Sequence, residues 1–188
     1  ANAHALARYA ALCQEAQIVP IVEPEVLMDG DHDIDRCYAV TEWALKETFE
    51  QLYFQKVALE GIVLKPNMAV PGTKSPQRAS VEEVALKTVR LLKSCVPAAV
   101  PGIVFLSGGQ TDEDATAHLN AMNTMYDTLP WEISFSWARA LQQKPMEIWG
   151  GEEGNVEEAQ KVFHHRARMA SAARAGNYSK EMEQEQAA

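Results

Sequence analysis

The sequence predicts an α/β protein built on a parallel sheet, and three observations carry that reading. Four short apolar runs each stop at a proline, a glycine turn or a polar residue. Each run is followed by a stretch with the 3.6-residue period of a helix. The runs also recur roughly thirty to forty residues apart, the length of a βα unit. A (β/α)8 barrel uses eight such units and about 250 residues, whereas this chain has 188 residues. It opens on a helix with no strand before it and has no initiator methionine. The expected fold is therefore a (β/α)8 TIM barrel, of which this chain supplies roughly the last four βα units. A small open-sheet domain is the alternative that the pattern leaves open.

Taken in order, the alanine-rich segment from Asn2 to Gln17 sets Leu6, Tyr9, Ala10 and Cys13 at helical spacing. Ile18 to Glu23 reads as a strand, and the acidic loop from Pro24 to Asp33 leads to a helix over about Ile34 to Phe54. Val40, Trp43, Ala44 and Glu47 keep the helical period there. The run from Leu59 to Lys65 is a strand stopped by Pro66, and a Pro/Gly/Ser loop continues to Ala79. Ser80 with Glu83 forms a capping box for a helix to about Ser94. Gly102 to Ser107 is the third strand, Gly108-Gly109 a turn, and Thr111-Asp112-Glu113-Asp114 opens a helix. Trp131 to Ser136 is the fourth strand, Ala138 to Leu141 begins a helix, and Val156 to Ala173 is the last long one. The charged, glutamine-rich stretch from Lys180 reads as disordered.

A net charge of -9 argues against a nucleic-acid surface or an anionic membrane as partner. No apolar stretch reaches the ~20 residues that cross a bilayer. Cys13, Cys37 and Cys95 are far apart and odd in number, so they are expected to be reduced, half-buried thiols of a cytoplasmic protein. Asp29 to Asp33 resembles the start of a calcium loop, but Ile34 and Val40 occupy the positions that need glycine and glutamate. His164 and His165 are adjacent on a helix and diverge. No metal site and no cofactor is expected.

In a parallel barrel the strand C-termini converge on one mouth, where such proteins place their chemistry. Here those ends carry Glu23, Lys65, Ser107 and Ser136, with Arg139 close by. A lysine held among apolar neighbours loses solvation of its charged form and becomes a nucleophile; the plainer alternative is a side chain that snorkels to solvent. Glu23 supplies a carboxylate for proton transfer. Glu23 and Glu25 flank Pro24 and are expected in extended geometry on opposite faces, Glu23 facing the interior and Glu25 solvated or salt-bridged. Ser107-Gly108-Gly109 before a helix suits an anion, because glycines allow close approach and helix-start N–H groups point outward. Arg139 would complete that site with a planar charged fork.

The motifs Ile18-Val19-Pro20-Ile21-Val22-Glu23-Pro24-Glu25, Leu64-Lys65-Pro66-Asn67-Met68 and Phe105-Leu106-Ser107-Gly108-Gly109-Gln110 resemble class I fructose-bisphosphate aldolase. So do Ser134-Phe135-Ser136 with Arg139-Ala140-Leu141, the opening Ala1 to Ala10, and Trp149-Gly150-Gly151. The resemblance runs to about Tyr178. It implies that residues 1–178 are the C-terminal half of one barrel, with residues 179–188 a flexible tail. It further implies a cytoplasmic homotetramer of glycolysis and gluconeogenesis, cleaving fructose 1,6-bisphosphate to dihydroxyacetone phosphate and glyceraldehyde 3-phosphate without a metal. By motif, Lys65 matches the Schiff-base lysine, Glu23 the proton shuttle and Glu25 its neighbour. Ser107, Gly108, Gly109, Ser136 and Arg139 match the group that holds a substrate phosphate.

Three departures stand out. Ala138 replaces the usual glycine, which is expected to loosen the phosphate turn. The chain ends Glu185-Gln186-Ala187-Ala188 rather than on a tyrosine. The half-barrel expected before Ala1, which in the family supplies an aspartate and further basic groups, is absent, so this fragment alone is expected to be incomplete. A non-catalytic phosphosugar-binding or assembly module is the alternative. A half-barrel leaves unpaired edges and a bare sheet face, so the isolated chain is expected to self-associate.

Overall fold

A computed structural model describes residues 1–184. Its sheet is short because prolines interrupt it. Strand β1 is only Ile21–Val22, between Pro20 and Pro24, and β2 is only Val63–Leu64. The longer runs read from the sequence are trimmed on both sides: Leu59–Gly61 forms a 3-10 turn, and a proline cannot donate to a ladder. β3 (Gly102–Phe105) and β4 (Glu132–Phe135) keep close to the expected spans. The four strands are all parallel, in the order β1-β2-β3-β4.

The helices are α1 (Asn2–Glu15), α2 (Ile34–Phe54), α3 (Val81–Cys95), α4 (Asp112–Met125), α5 (Arg139–Trp149) and α6 (Val156–Arg174). Their starts follow local chemistry. Asp33 Oδ1 accepts from Arg36 N–H at 2.7 Å, Ser80 Oγ from Glu83 N–H at 3.1 Å, and Thr111 Oγ1 from Asp114 N–H at 3.0 Å.

Register decides which face of the sheet is covered. Val22, Leu64, Ile103 and Ile133 lie in one row across the four strands, all of them buried beneath helices. The preceding row, Ile21, Val63, Gly102 and Glu132, is half-buried or exposed. Helices on one face with strands in sequential order make an arc of a (β/α)8 barrel, since a doubly wound open sheet would be covered on both faces. The free edge of the arc exposes Ile18, Val19 and Ile21, with Tyr9 and Leu12 of α1 beside them.

The period of Val40, Trp43, Ala44 and Glu47 marks the outer side of α2, with Trp43 67% exposed; its core face is Ile34, Cys37, Thr41, Leu45, Thr48 and Leu52. Two expectations are corrected here. Cys13 and Cys95 are half-buried as expected, but Cys37 is buried, and that burial raises its thiol pKa. Lys180–Gln184, read as disordered, forms a 3-10 turn whose Glu183 is clasped by Arg166. The rest of the expected tail, residues 185–188, lies outside the described residues. Among those described, no helix is long and apolar enough to cross a membrane, and no cluster of ligating side chains could hold a metal.

Candidate active site

Lys65 and Glu23 are each the first residue past a two-residue strand. Register puts both on the uncovered face of the sheet, in the row of Val104 and Ser134. They meet there: Lys65 Nζ lies 3.0 Å from Glu23 Oε1, with side-chain exposures of 19% and 41%. The amine expected among apolar neighbours thus faces a carboxylate instead. The strand ends at the mouth are polar, and this pair supplies each other's partner.

Glu25 corrects the expectation of opposite faces. Two residues apart in an extended chain, Glu23 and Glu25 share a side, because the side-chain period of a strand is two. The β1–α2 loop then leans across the end of β2 to reach the turn after β3. A Cβ at Gly108 would sit 3.5 Å from Glu25 Oε1, 3.4 Å from Arg139 Nη2 and 3.0 Å from Leu106 Cδ1. Glu25, Gly108 and Arg139 are therefore neighbours, and a side chain on Gly108 would need the end of Leu106 to shift.

The turn itself is tight. Gln110 N–H donates to the Ser107 carbonyl at 3.2 Å, and Gly109 has φ +75. A Cβ on Gly109 would lie 2.6 Å from Met28 Cβ, so backbone conformation and space both require glycine. Ser107 and Gly108 are buried and Ser136 is half-buried at the end of β4.

The start of α4, expected to help cradle an anion, differs from the start of α5. α4 is capped by Thr111 and carries Asp112, Glu113 and Asp114 in its first turn, so its N-terminal donors and dipole are already answered. α5 differs. It begins at Arg139, has no side-chain cap and no acidic residue in its first turn. Ala138, the departure from glycine, adopts φ -93 and ψ -67, a helical conformation that costs alanine nothing.

Comparison with known proteins settles what this arrangement belongs to. The family model Fructose-bisphosphate aldolase class-I matches residues 1–188. The chain belongs to the class I fructose-bisphosphate aldolase family. It is 56% identical over 179 residues to "Probable fructose-bisphosphate aldolase class 1" of Xylella fastidiosa (strain Temecula1), covering 95% of this chain and 53% of that protein. It is 52% identical over 177 residues to "Fructose-bisphosphate aldolase 4, cytosolic" of Arabidopsis thaliana, covering 94% of this chain and 45% of that one. Among solved structures, the aldolase of Plasmodium falciparum in complex with TRAP and a small-molecule inhibitor superimposes with a TM-score of 0.91 at 44% identity. That match covers 95% of this chain and 51% of the other. The chain spans about half the length of the relatives it matches.

Sequence reasoning missed the aldolase residues that brace the site from below. Asn67, 1% exposed, bonds to the β1–α2 loop and to Thr41. His118, 7% exposed, holds Gln110 at the base of the glycine turn, Nδ1 to Oε1 2.6 Å. Burial lowers the His118 pKa to about 4, against a weaker opposing pull from Asp114. A legible signal existed for Asn67: it is the one amide inside the otherwise apolar run Pro66-Asn67-Met68-Ala69-Val70.

Proposed function

We propose that this chain is the part of a class I fructose-bisphosphate aldolase that carries the Schiff-base lysine. The observation that carries the reading is the Lys65–Glu23 contact at the mouth of a parallel sheet in a chain of this family. The Lys65 amine attacks the ketone carbon of fructose 1,6-bisphosphate to give a carbinolamine. Glu23 delivers a proton to the departing hydroxyl, and loss of water leaves a protonated imine. As the carbon–carbon bond breaks, its electron pair flows into that cation, so the imine supplies the electron sink without a metal. The C4 hydroxyl gives up its proton as glyceraldehyde 3-phosphate departs and an enamine is left on Lys65; protonation of its carbon restores the imine, whose hydrolysis releases dihydroxyacetone phosphate and frees Lys65.

Glu25 supports Glu23 beside the turn. Ser107, Gly108, Gly109, Ser136 and Arg139 hold a substrate phosphate, a role supported by the bare α5 start and by the closeness of Arg139 to Gly108. Fixing the phosphate makes attack on the ketone effectively intramolecular. The whole protein acts as a cytoplasmic homotetramer, consistent with the cytosolic relative, and needs the segment its relatives have beyond this chain.

Borohydride reduction in the presence of dihydroxyacetone phosphate tests the assignment. The full-length protein should gain one reduced triose adduct on Lys65, located by peptide mass spectrometry. An adduct elsewhere, or none, discards it in favour of the non-catalytic phosphosugar module. The isolated 188-residue chain, with its exposed edge at Ile18, Val19 and Ile21, should sediment as oligomers or aggregate, and a stable monomer would contradict that.

A further inference from the structure

The two strand ends that carry the reacting groups have almost no backbone means of holding one another. The last rung between them is Lys65 N–H donating to the Val22 carbonyl at 2.7 Å. Immediately beyond Glu23 and Lys65 stand Pro24 and Pro66, and neither has an N–H to extend the ladder. Two strands of two residues each, ending on prolines, leave the Lys65–Glu23 distance weakly fixed by the sheet.

One side chain bridges that gap. Asn67 Oδ1 accepts from Val26 N–H at 3.0 Å, which takes the place of the missing rung. Its Nδ2 donates to Thr41 Oγ1 at 2.9 Å and to the Met68 carbonyl at 3.1 Å, with Cys37 Sγ at 3.9 Å. The orientation of the amide is dictated by its partners, since an N–H must meet an oxygen and a carbonyl must meet an N–H. Thr41 belongs to the buried face of α2 and is itself 0% exposed. Asn67 thus ties the loop bearing Glu23 and Glu25, the strand end bearing Lys65, and the helix beneath both. A carboxylate here would bury a charge with no cation described beside it, and an aliphatic residue would orphan the Val26 N–H.

We infer that Asn67 is a positioning residue for the Lys65–Glu23 pair, fixing the separation of amine and carboxylate where the sheet cannot. The inference rests on the reading of Lys65 as the imine-forming lysine. Asn67 touches neither substrate nor the reacting atoms; it acts through the two strand ends.

The test compares wild type, Asn67→Ala, Thr41→Val and a core control, Leu52→Ala, all in the full-length protein. Rates of borohydride trapping on Lys65 with dihydroxyacetone phosphate are measured alongside kcat, KM, affinity for inorganic phosphate and Tm. Asn67→Ala should slow trapping and lower kcat on the order of tenfold or more. KM and phosphate affinity should stay within about twofold, since the groups that hold phosphate lie just after β3 and β4 and at the start of α5. Thr41→Val, which removes the anchor of Asn67 but keeps Asn67, should fall in between. Leu52→Ala should lower Tm without slowing trapping. Wild-type trapping rates in folded Asn67→Ala, or an equal loss in Leu52→Ala at matched Tm, would overturn the inference. Should Asn67→Ala fail to fold, an unchanged kcat in Thr41→Val overturns it instead. Wild type that never traps on Lys65 sinks the aldolase reading itself, a result visible without any variant.

Discussion

Two cation–carboxylate pairs in this molecule use the same chemistry to opposite ends. At the outer side of α4 and α6, Arg166 is 3% exposed in its side chain. It gives two bonds to Glu183, at 2.6 and 2.7 Å, one to the Asp112 carbonyl and one to Thr116 Oγ1. Glu183 also accepts from Tyr178 at 3.0 Å and lies 3.2 Å from His165 Nε2. Burial pushes the Glu183 carboxyl up, but Arg166, His165 and Tyr178 outweigh it and hold it below the usual carboxylate value. Burial, with Glu183 beside it, raises the Tyr178 hydroxyl. At the mouth, Lys65 and Glu23 share a single contact and stand partly in solvent. A buried pair held by several bonds fastens a segment; a pair with a single contact at the surface retains capacity for a substrate.

The largest effects should separate these roles. Lys65→Met in the full-length protein should abolish imine trapping and lower kcat on the order of a thousandfold or more. Its stability should shift by no more than about 1 kcal/mol, because the lost pair is partly exposed. A large fall in urea midpoint would mean that Lys65 is structural after all. Arg166→Ala should do the reverse. Stranding Glu183 and the partners on α4 should cost about 3 kcal/mol by urea titration, with kcat per folded molecule unchanged. Loss of activity without loss of stability would erase the contrast between the two sites.

A smaller effect sharpens it along the pH axis. The folded pKa of His118 lies at about 4, below its ordinary 6.5, so folding favours the neutral ring. Its contribution is full above pH 6.5 and declines as pH falls toward 4, a loss of about 2 kcal/mol between pH 7 and pH 5. Glu183 is also depressed, so its contribution persists above its ordinary 4.5 and declines only below that. Urea midpoints from pH 7 to pH 5 should therefore fall in wild type and in Arg166→Ala, and stay level in His118→Gln. A falling midpoint in His118→Gln would remove His118 as the source.

The candidate site was legible in proportion to how local its signals are. Lys65 could be read because an apolar run ending in Lys-Pro marks a strand end, and Gly108-Gly109 because a turn needs them. Glu25 was assigned to the wrong side although the period of two held the answer. The sequence reading placed an anion beside the start of α4 without weighing its Thr111 cap and three acids, and passed over the bare start of α5, because neither helix start can be judged without its capping geometry. Asn67 escaped because its partners, Val26 and Thr41, lie 41 and 26 residues away.

By itself the sequence determined the order of elements, the parallel βα repeat and the capped helix starts, since each depends on residues within a turn or two of one another. It also determined family membership through motifs that stay contiguous. Only the tertiary structure decided which side of α2 faces inward. Val40 and Trp43 are as apolar as Leu45 and Leu52, and the position of the sheet made the choice. Tertiary structure likewise brought Glu25 to Gly108 and Arg139, put the amide of Asn67 where prolines had removed a rung, and anchored Glu183 on Arg166. Each of these joins segments far apart in the chain, and such a contact exists only once packing has fixed both ends.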